Sequence, residues 1–237
     1  MNPDKPEQST TFTDSYPCPY FSDGRISTTE FLIPDQNQSL NFHDYLARGY
    51  RRIGRAFYRN ICSDCTACLP LRVRLDNFKA SKSQKRTLKL NSDIEVRILD
   101  TPEVTIEKVA LYEKYLKSKH PDDEKSPPDP ASSVLNMHYG YHDIIEIDYF
   151  INGRLIAAGI VDNSLDALSS NYFYYDTEHL QRRLGVFSML QEIETARMIG
   201  KEFFYLGFYI EDNQKMAYKK YFRPNEVLVD GIWKGFL

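Results

Sequence analysis

Residues 167–210 read ALSSNYFYYDTEHLQRRLGVFSMLQEIETARMIGKEFFYLGFYI, and this stretch decides the fold. It begins with a strand-like run rich in aromatic residues (167–176) and ends with a second one (202–210). Between them apolar residues recur at helical spacing over 186–196, and Gly200 is typical of a helix end. A strand, a turn, a helix and a further strand in this order predict a mixed α/β architecture.

The chain on either side supplies further elements. Residues 144–163 contain two strand-like runs joined by Asn152-Gly153, a strong hairpin signal. Residues 103–119 form an amphipathic helix pattern, and the acidic, proline-rich run 121–133 predicts a mobile loop that is a candidate lid. Shorter strands are predicted at 26–33, 55–59, 71–78 and 93–99, and helices at 39–51, 81–90 (basic helix or turn) and 213–222.

This order of elements resembles the core of the GNAT acyltransferases. We therefore predict an α/β, GNAT-like fold: a mixed sheet flanked by helices, with a cysteine-containing N-terminal region. In acetyl-CoA enzymes of that class, the junction [RQ]-x-x-G-x-[GA] holds a diphosphate at a helix N-terminus. Residues 182–187, RRLGVF, match the arginine and the glycine, but Phe187 stands where a small residue would permit close approach. We expect an acyl donor other than CoA, and no CoA cofactor.

A second informative stretch is 48–74, RGYRRIGRAFYRNICSDCTACLPLRVR, where three cysteines stand at two-residue gaps. Cys18 completes the set of four cysteines, all in the first third of the chain. In a cytoplasmic protein this pattern favours metal binding or redox chemistry over a disulfide framework. The set Cys18, Cys62, Cys65 and Cys68 could hold zinc or an iron–sulfur cluster, and the alternative is reduced cysteines packed near a loop.

The charge is unevenly distributed. The net charge is −3, yet residues 48–97 contain thirteen Lys or Arg against four Asp or Glu. A segregated basic face of this kind favours phosphate binding, and an ordinary solvated face is the alternative. Apolar runs are too short for a membrane span, and the start lacks the apolar region of a signal peptide. We expect a cytoplasmic protein with no membrane partner.

Motifs from Tyr16 onward carry a resemblance to the arginyl-tRNA–protein transferase family. They are PCPY (17–20), GYRRIG (49–54), YRNICSDCTACLPLRV (58–73), SQKRT (83–87), YYD (174–176), LG (184–185), YLGFYI (205–210), KMAYK (215–219) and FRP (222–224). The resemblance implies a GNAT-type fold and an aminoacyl-tRNA–protein transferase. In the short bacterial form leucine passes from its tRNA to a protein beginning with Asp or Glu, which marks that protein for degradation.

The expected partners are therefore aminoacyl-tRNA and proteins with N-terminal Asp or Glu. The family's N-terminal cysteines can bind a cluster, which agrees with the spacing here. Three alternatives remain open: an arginyl donor, a non-catalytic, metal-stabilised tRNA-binding module, and a CoA-dependent N-acetyltransferase. The organisation we expect is a disordered tail at 1–15, a cysteine-rich and basic region at 16–100, and a GNAT-like transferase core at 101–237.

The expected chemistry is aminolysis of an activated ester, for which positioning and one modest proton acceptor suffice. Asp176 is the candidate acceptor, and a helix N-cap is its alternative role. Tyr174 and Tyr175 are its candidate catalytic neighbours. Tyr205 and Tyr209 are candidate substrate-binding residues that could stack on the terminal adenosine, or serve only in the core.

Cationic side chains are divided between two expected partners. The acidic side chain of the acceptor protein needs a cation with bidentate reach, for which Arg51, Arg52 and Arg72 are candidates, with Lys219 behind them. A second set is expected to contact the tRNA backbone, with salt-dependent affinity. That set is Arg55, Lys82, Lys85, Arg86 and Lys89.

Overall fold

The computed structural model describes residues 9–34, 42–119, 129–139 and 143–236. A small antiparallel sheet comes first, with strands in the spatial order β1-β2-β4-β3. The predicted tail is wrong in part, because residues from Ser9 onward pair along the whole of β2; residues 1–8 lie outside the described chain. The strands are β1 (Ser9–Pro17), β2 (Ile26–Pro34), β3 (Arg51–Ile53) and β4 (Ala56–Asn60).

A second sheet has eight strands, in the spatial order β12-β11-β5-β10-β9-β8-β7-β6. Its neighbouring strands are antiparallel except for β9 and β10, which are parallel. The strands are β5 (Leu69–Arg74), β6 (Glu95–Leu99), β7 (Ile144–Ile151), β8 (Arg154–Asn163), β9 (Ala167–Tyr175), β10 (Phe203–Tyr209), β11 (Asn225–Val229) and β12 (Ile232–Gly235).

Helices cover both faces of the larger sheet. Side chains of α3 and α4 pack with Leu155, Ala158 and Tyr174 on one face, whereas α5 packs on the other face and contacts α2. The α-helices are α1 (Phe42–Ala47), α2 (Lys82–Leu90), α3 (Ile106–Lys119), α4 (Pro130–His138), α5 (Leu184–Met198) and α6 (Gln214–Ala217), with 3-10 turns at Thr177–Arg182 and Tyr218–Tyr221.

This arrangement confirms the predicted α/β fold with a mixed sheet flanked by helices. The hairpin β7–β8 turns at Asn152 and Gly153, whose φ angles of 50° and 78° suit a tight hairpin turn. The helix expected over 179–199 begins as an α-helix only at Leu184, because Arg183 adopts a left-handed conformation with φ of 56°.

Two expectations about boundaries need correction. The loop expected over 121–133 ends earlier, because Asp129 caps α4 through Ala131 N–H and Pro130 suits a first helical turn; residues 120–128 lie outside the described chain. The division expected near residue 100 does not separate the two sheets, because β5 and β6 both belong to the larger one.

In the described part of the chain, no helix has the length and apolar character needed to cross a bilayer.

Candidate active site

The site forms where the parallel strands β9 and β10 diverge. They pair only from Phe203 opposite Ala167 to Tyr205 opposite Ser169, and both have a register shift just beyond. Arg51, the first residue of β3, enters this gap and donates from Nη2 to the carbonyl oxygens of Ser170 (2.6 Å) and Asn171 (3.2 Å). The small sheet therefore contributes a guanidinium to the centre of the large one.

Gly207 makes room for that guanidinium. Its φ is +80°, and a Cβ atom there would stand 1.6 Å from Arg51 Nη1. A glycine is therefore required on two counts, since a side chain would be strained by the backbone and would collide with Arg51. The register shift in β10 occurs between Tyr205 and Gly207, so the same irregularity opens the strand and admits the arginine.

A cavity of about 600 Å³ lies beside this gap, between β9 and the N-terminal half of α5. This volume is in the range of small-molecule sites. Aromatic and aliphatic side chains form its walls, and Tyr115 meets Tyr175 edge-on at 5.2 Å between ring centroids. The apolar walls include Tyr115, Phe173, Tyr175, Val186, Met189 and Tyr218.

The inner end of the cavity is polar. Ser188 donates from Oγ to Glu192 Oε1 at 2.6 Å, and Tyr149 donates to Ser188 at 3.3 Å. Glu192 is 1% exposed, and its other oxygen, Oε2, has no hydrogen-bond partner among the described residues. Burial raises the pKa of Glu192, although Ser188, Ser170 and the charge of Arg51 partly oppose that effect.

Lys219 is a second cation at this point, and unlike the half-buried Arg51 it is buried. It is 7% exposed and donates from Nζ to the carbonyl oxygen of Phe208 at 2.9 Å. Burial, reinforced by the positive charge of Arg51, lowers the pKa of Lys219 to about 7. Of the four cations expected at the acceptor's carboxylate, the structure brings Arg51 and Lys219 together.

The other two cations are engaged elsewhere. Arg52 pairs with Asp162 at 2.7 Å in a buried contact and donates to the carbonyl oxygens of Met137 and Tyr139 at the end of α4. Arg72 pairs with Glu226 at 2.7 Å and donates to Tyr205 Oη at 3.1 Å. Both guanidinium groups therefore have carboxylate partners within the chain.

The candidate catalytic residues are split between the two faces of β9. Tyr175 lines the cavity, whereas Tyr174 is buried on the opposite face against Tyr112 of α3. Asp176 accepts from Glu178 N–H at the start of the 3-10 turn and forms ion pairs with Lys114 (2.7 Å) and Arg154 (3.0 Å).

Burial alone would raise the pKa of Asp176, but its hydrogen bonds and the two cations lower it overall. Those contacts are the ones expected of the N-cap alternative; the role of Asp176 as proton acceptor stays a prediction. The two remaining tyrosines are buried: Tyr205 with Arg72 and Trp233, and Tyr209 against Phe236 at 5.1 Å.

The cations expected to contact tRNA are exposed. Arg55 lies on the β3–β4 turn, and the other four share one face of α2 at helical spacing. This helix begins beside the cavity, because Arg183, which lines the cavity mouth, donates to Ser83 Oγ at 3.1 Å. The exposed residues of α2 are Lys82, Lys85, Arg86 and Lys89.

Sequence reasoning missed several residues at this site. Lys119, Arg183 and Lys215 add positive charge at the cavity mouth. Glu192 carried a readable signal, because it is a lone acid on the face of α5 that buries Met189 and Ile193. Neither Ser170 nor the three rim cations had a comparable signal.

Phe187 has a different place from the one expected. Its side chain is buried in the core, 5.8 Å from the ring of Tyr149, and does not line the cavity. The steric argument against a diphosphate therefore does not hold for this side chain, because Leu184, Gly185 and Val186 form that wall instead. The expected absence of CoA stays a prediction.

The four cysteines line a separate cavity of about 280 Å³ between the β1–β2 and β4–β5 connections. Cys62 Sγ accepts from Thr28 N–H and Cys65 Sγ accepts from Arg25, both at 3.3 Å. Burial raises the pKa of Cys68 to about 11, and the other three cysteines add to the effect. All four are free thiols, and among the described residues no three metal-binding side chains are yet close enough to hold an ion.

A cavity beside diverging parallel strands, at the N-terminus of the helix that connects them, is the architecture expected of a GNAT-type acyltransferase. Within that class, two family models match: "Arginine-tRNA-protein transferase, N terminus" over residues 16–86 and "Arginine-tRNA-protein transferase, C terminus" over residues 107–229. The chain belongs to the arginine-tRNA-protein transferase family and is an aminoacyltransferase.

Curated relatives are similar along almost their whole length. The aspartate/glutamate leucyltransferase of Saccharophagus degradans is 34% identical over 228 residues, which cover 95% of each chain. The aspartate/glutamate leucyltransferase of Shewanella oneidensis is 38% identical over 224 residues, which cover 92% of this chain and 91% of that protein. Among solved structures, L-PGS from Bacillus licheniformis aligns over 91% of this chain and 81% of its own, with 12% identity and a TM-score of 0.48.

Proposed function

We propose that this protein transfers leucine from leucyl-tRNA to the N-terminal amine of proteins that begin with Asp or Glu, and so marks them for degradation. The observation that carries the proposal is the cavity beside the β9–β10 gap, with its apolar walls and cationic mouth next to the basic face of α2. The names of the relatives supply the leucyl donor and the acidic acceptors. A cytoplasmic location follows from these substrates.

The cavity suits the aminoacylated end of a tRNA. The aromatic pair Tyr115 and Tyr175 offers ring faces to the terminal adenosine, and Met189 and Val186 offer apolar surface to a leucyl side chain. Arg183 and Lys215 stand where the terminal phosphates would enter, and α2 continues the positive surface outward.

The chemical step is the aminolysis of an ester. The acceptor's amine nitrogen attacks the leucyl carbonyl carbon, the new C–N bond forms, and the C–O bond to the terminal ribose breaks. The proton lost by the amine ends on the ribose oxygen, which leaves as a hydroxyl group. An α-amine has a pKa near 8, so a reactive neutral fraction is already present at neutral pH and positioning dominates the catalysis.

Arg51 and Lys219 are the cations proposed to attract the acceptor's N-terminal Asp or Glu. They lie together at the β9–β10 gap, whereas Arg52 and Arg72 already have Asp162 and Glu226 as partners. A carboxylate brought close to Lys219 would also favour the charged form of that lysine. Selection for acidic N-termini would then be coupled to a buried, titratable cation.

The four cysteines are proposed to hold zinc or an iron–sulfur cluster. Their sulfur atoms share one cavity, and the donors from Thr28 and Arg25 would stabilise thiolates. Such a group would supply a crosslink between the β1–β2 and β4–β5 connections. Because β3 lies between these segments in the chain, the crosslink would help to hold Arg51 in the gap.

The test uses purified protein and two peptides, one beginning with Asp or Glu and the other with Ala. Each is incubated with leucyl-tRNA, and separately with arginyl-tRNA, and its mass is measured. The expected result is one added leucine on the acidic peptide alone. If arginine is added instead, the donor is arginyl-tRNA and not leucyl-tRNA. If neither amino acid is added although tRNA binds, the non-catalytic alternative is supported.

A further inference from the structure

Hydrogen bonds among the described residues use only one of the two carboxyl oxygens of Glu192. It is buried at the inner end of the cavity, where Ser188 satisfies Oε1 and Oε2 has no partner among the described residues. A buried carboxyl group with an unused oxygen is costly to the fold unless a ligand completes its hydrogen bonds. Its place in the lining of the cavity makes that ligand a part of the bound substrate.

The nearest protein cation does not fill this role. Arg51 is close enough to influence Glu192 electrostatically, but its Nη2 atom is already committed to the carbonyl oxygens of Ser170 and Asn171. The other polar groups that act on Glu192 are the uncharged hydroxyl groups of Ser188 and Ser170. Among the described residues, therefore, no cation donates a hydrogen bond to the free oxygen of Glu192.

The aminoacyl group itself brings a cation. Around its α-carbon it carries an ester carbonyl, an apolar side chain and an ammonium group. The carbonyl must meet the acceptor at the β9–β10 gap, and the leucyl side chain suits the apolar wall formed by Met189 and Val186. The ammonium is then left for the polar inner end, where it would lose water and need a carboxylate partner.

We propose that the carboxylate of Glu192 binds the α-ammonium group of the aminoacyl donor, with Ser188 orienting the carboxylate. This inference rests on the proposed function. It adds a selection for donors whose α-amine is free and charged. An N-acylated aminoacyl-tRNA has no such charge, and its amide would leave Glu192 without a cation.

The test compares leucyl-tRNA with N-acetylleucyl-tRNA as donors to the acidic peptide. For the wild type we expect kcat/KM to be higher for leucyl-tRNA by about tenfold or more, in line with a buried hydrogen bond between charged groups. In Glu192→Gln this preference should fall toward one, through a rise in KM for leucyl-tRNA. Ser188→Ala, which removes the orienting hydroxyl, should lower the preference by a smaller factor.

Glu194→Gln is the matched control, because Glu194 is an exposed acid on the same helix. It should keep the wild-type preference. Unfolding midpoints of all variants confirm that they fold, and glutamine is nearly isosteric with a protonated glutamate.

If Glu192→Gln lowers transfer from both donors equally, or keeps the wild-type preference, the carboxylate does not bind the ammonium, and the inference is wrong while the proposed function stands. If the wild type transfers no leucine from leucyl-tRNA, the proposed function itself fails.

Discussion

Two buried clusters of charge lie on opposite faces of the larger sheet, and they differ in how well their members are paired. On the α3 side, Lys108 forms ion pairs with Glu146 and Asp148, and His138 of α4 bonds to Glu146. On the α5 side, Glu192 bonds to the hydroxyl group of Ser188 and forms no ion pair among the described residues. One oxygen of Asp148 and one oxygen of Glu192 lack a hydrogen-bond partner there, so the clusters differ in ion pairing. The side chains of the α3 cluster and Glu192 are almost fully excluded from solvent.

This difference in pairing indicates that the two clusters have different roles. In the α3 cluster each charged side chain has an opposite charge, so the cluster can fasten α3 and α4 to β7 without a ligand. In the α5 cluster burial raises the pKa of Glu192, which has no cation hydrogen-bonded to it among the described residues, and Arg51 and Lys219 donate to backbone carbonyl oxygens. The first cluster should therefore determine stability, and the second should determine substrate binding.

The largest effect is expected from Lys108→Met, which removes the cation from the α3 cluster. Two buried carboxylates would then lose their ammonium partner, with only His138 still bonded to Glu146, which should lower the free energy of unfolding by about 3–5 kcal/mol. Urea denaturation measures this change. Lys117→Met on the same helix is the control, because Lys117 is exposed and its pair with Glu113 should contribute under about 1 kcal/mol. Equal effects of the two variants would contradict the comparison.

Gly207→Ala should have the next largest effect and should act on both properties. The new methyl group would displace the Arg51 guanidinium from Ser170 and Asn171 and would strain a backbone with φ of +80°. We expect a loss of about 2 kcal/mol in stability, together with a larger loss of transfer activity. Gly153→Ala controls for the backbone strain, because that turn glycine has a φ of 78° and open space around it. Full activity in Gly207→Ala would exclude Arg51 from the site.

The sequence predicted local structure and the family well, because those signals are local. Asn152-Gly153 specified a hairpin, and the apolar spacing in α3 and α5 specified helices. The insertion of β5 between β10 and β11 had no such signal, since it depends on pairing between residues more than a hundred positions apart. The same holds for the N-terminal segment that was expected to be a disordered tail, because β1 is a polar strand that pairs with β2 along its whole length.

The site shows the same limit at the level of single residues. Arg51 and Arg52 are adjacent in one motif and alike in sequence, yet the alternation of a strand sends one into the β9–β10 gap and the other to Asp162. Which arginine lies in the β9–β10 gap is decided by these distant partners. The sequence motif identifies both arginines as candidates, but only the three-dimensional structure shows that they have different partners.

Asp176→Asn tests the contacts made by Asp176, which directly follows β9. Asparagine can still cap the 3-10 turn, but it loses the ion pairs with Lys114 and Arg154. We expect a loss of about 1–2 kcal/mol in the free energy of unfolding, with kcat per folded molecule unchanged. A fall in kcat of about a hundredfold without loss of stability would instead support Asp176 as the proton acceptor.

The smallest effect concerns the pH dependence contributed by Lys219. Its pKa is lowered to about 7 in the folded protein from an ordinary value of 10.5, so the unfolded chain binds more protons between these values. The contribution of Lys219 to stability therefore rises with pH across this window, by about 1 kcal/mol between pH 7 and pH 8.

In Lys219→Met this dependence is absent, because methionine has no charge to lose. The wild type should therefore gain stability relative to Lys219→Met as the pH rises from 7 to 8. Urea denaturation of both proteins at each pH measures this change in the free energy of unfolding. Lys215→Met, at an exposed position on α6, should run parallel to the wild type. A parallel course for Lys219→Met would mean that Lys219 stays charged in the folded protein, and that the α5 side already holds a counter-charge for it.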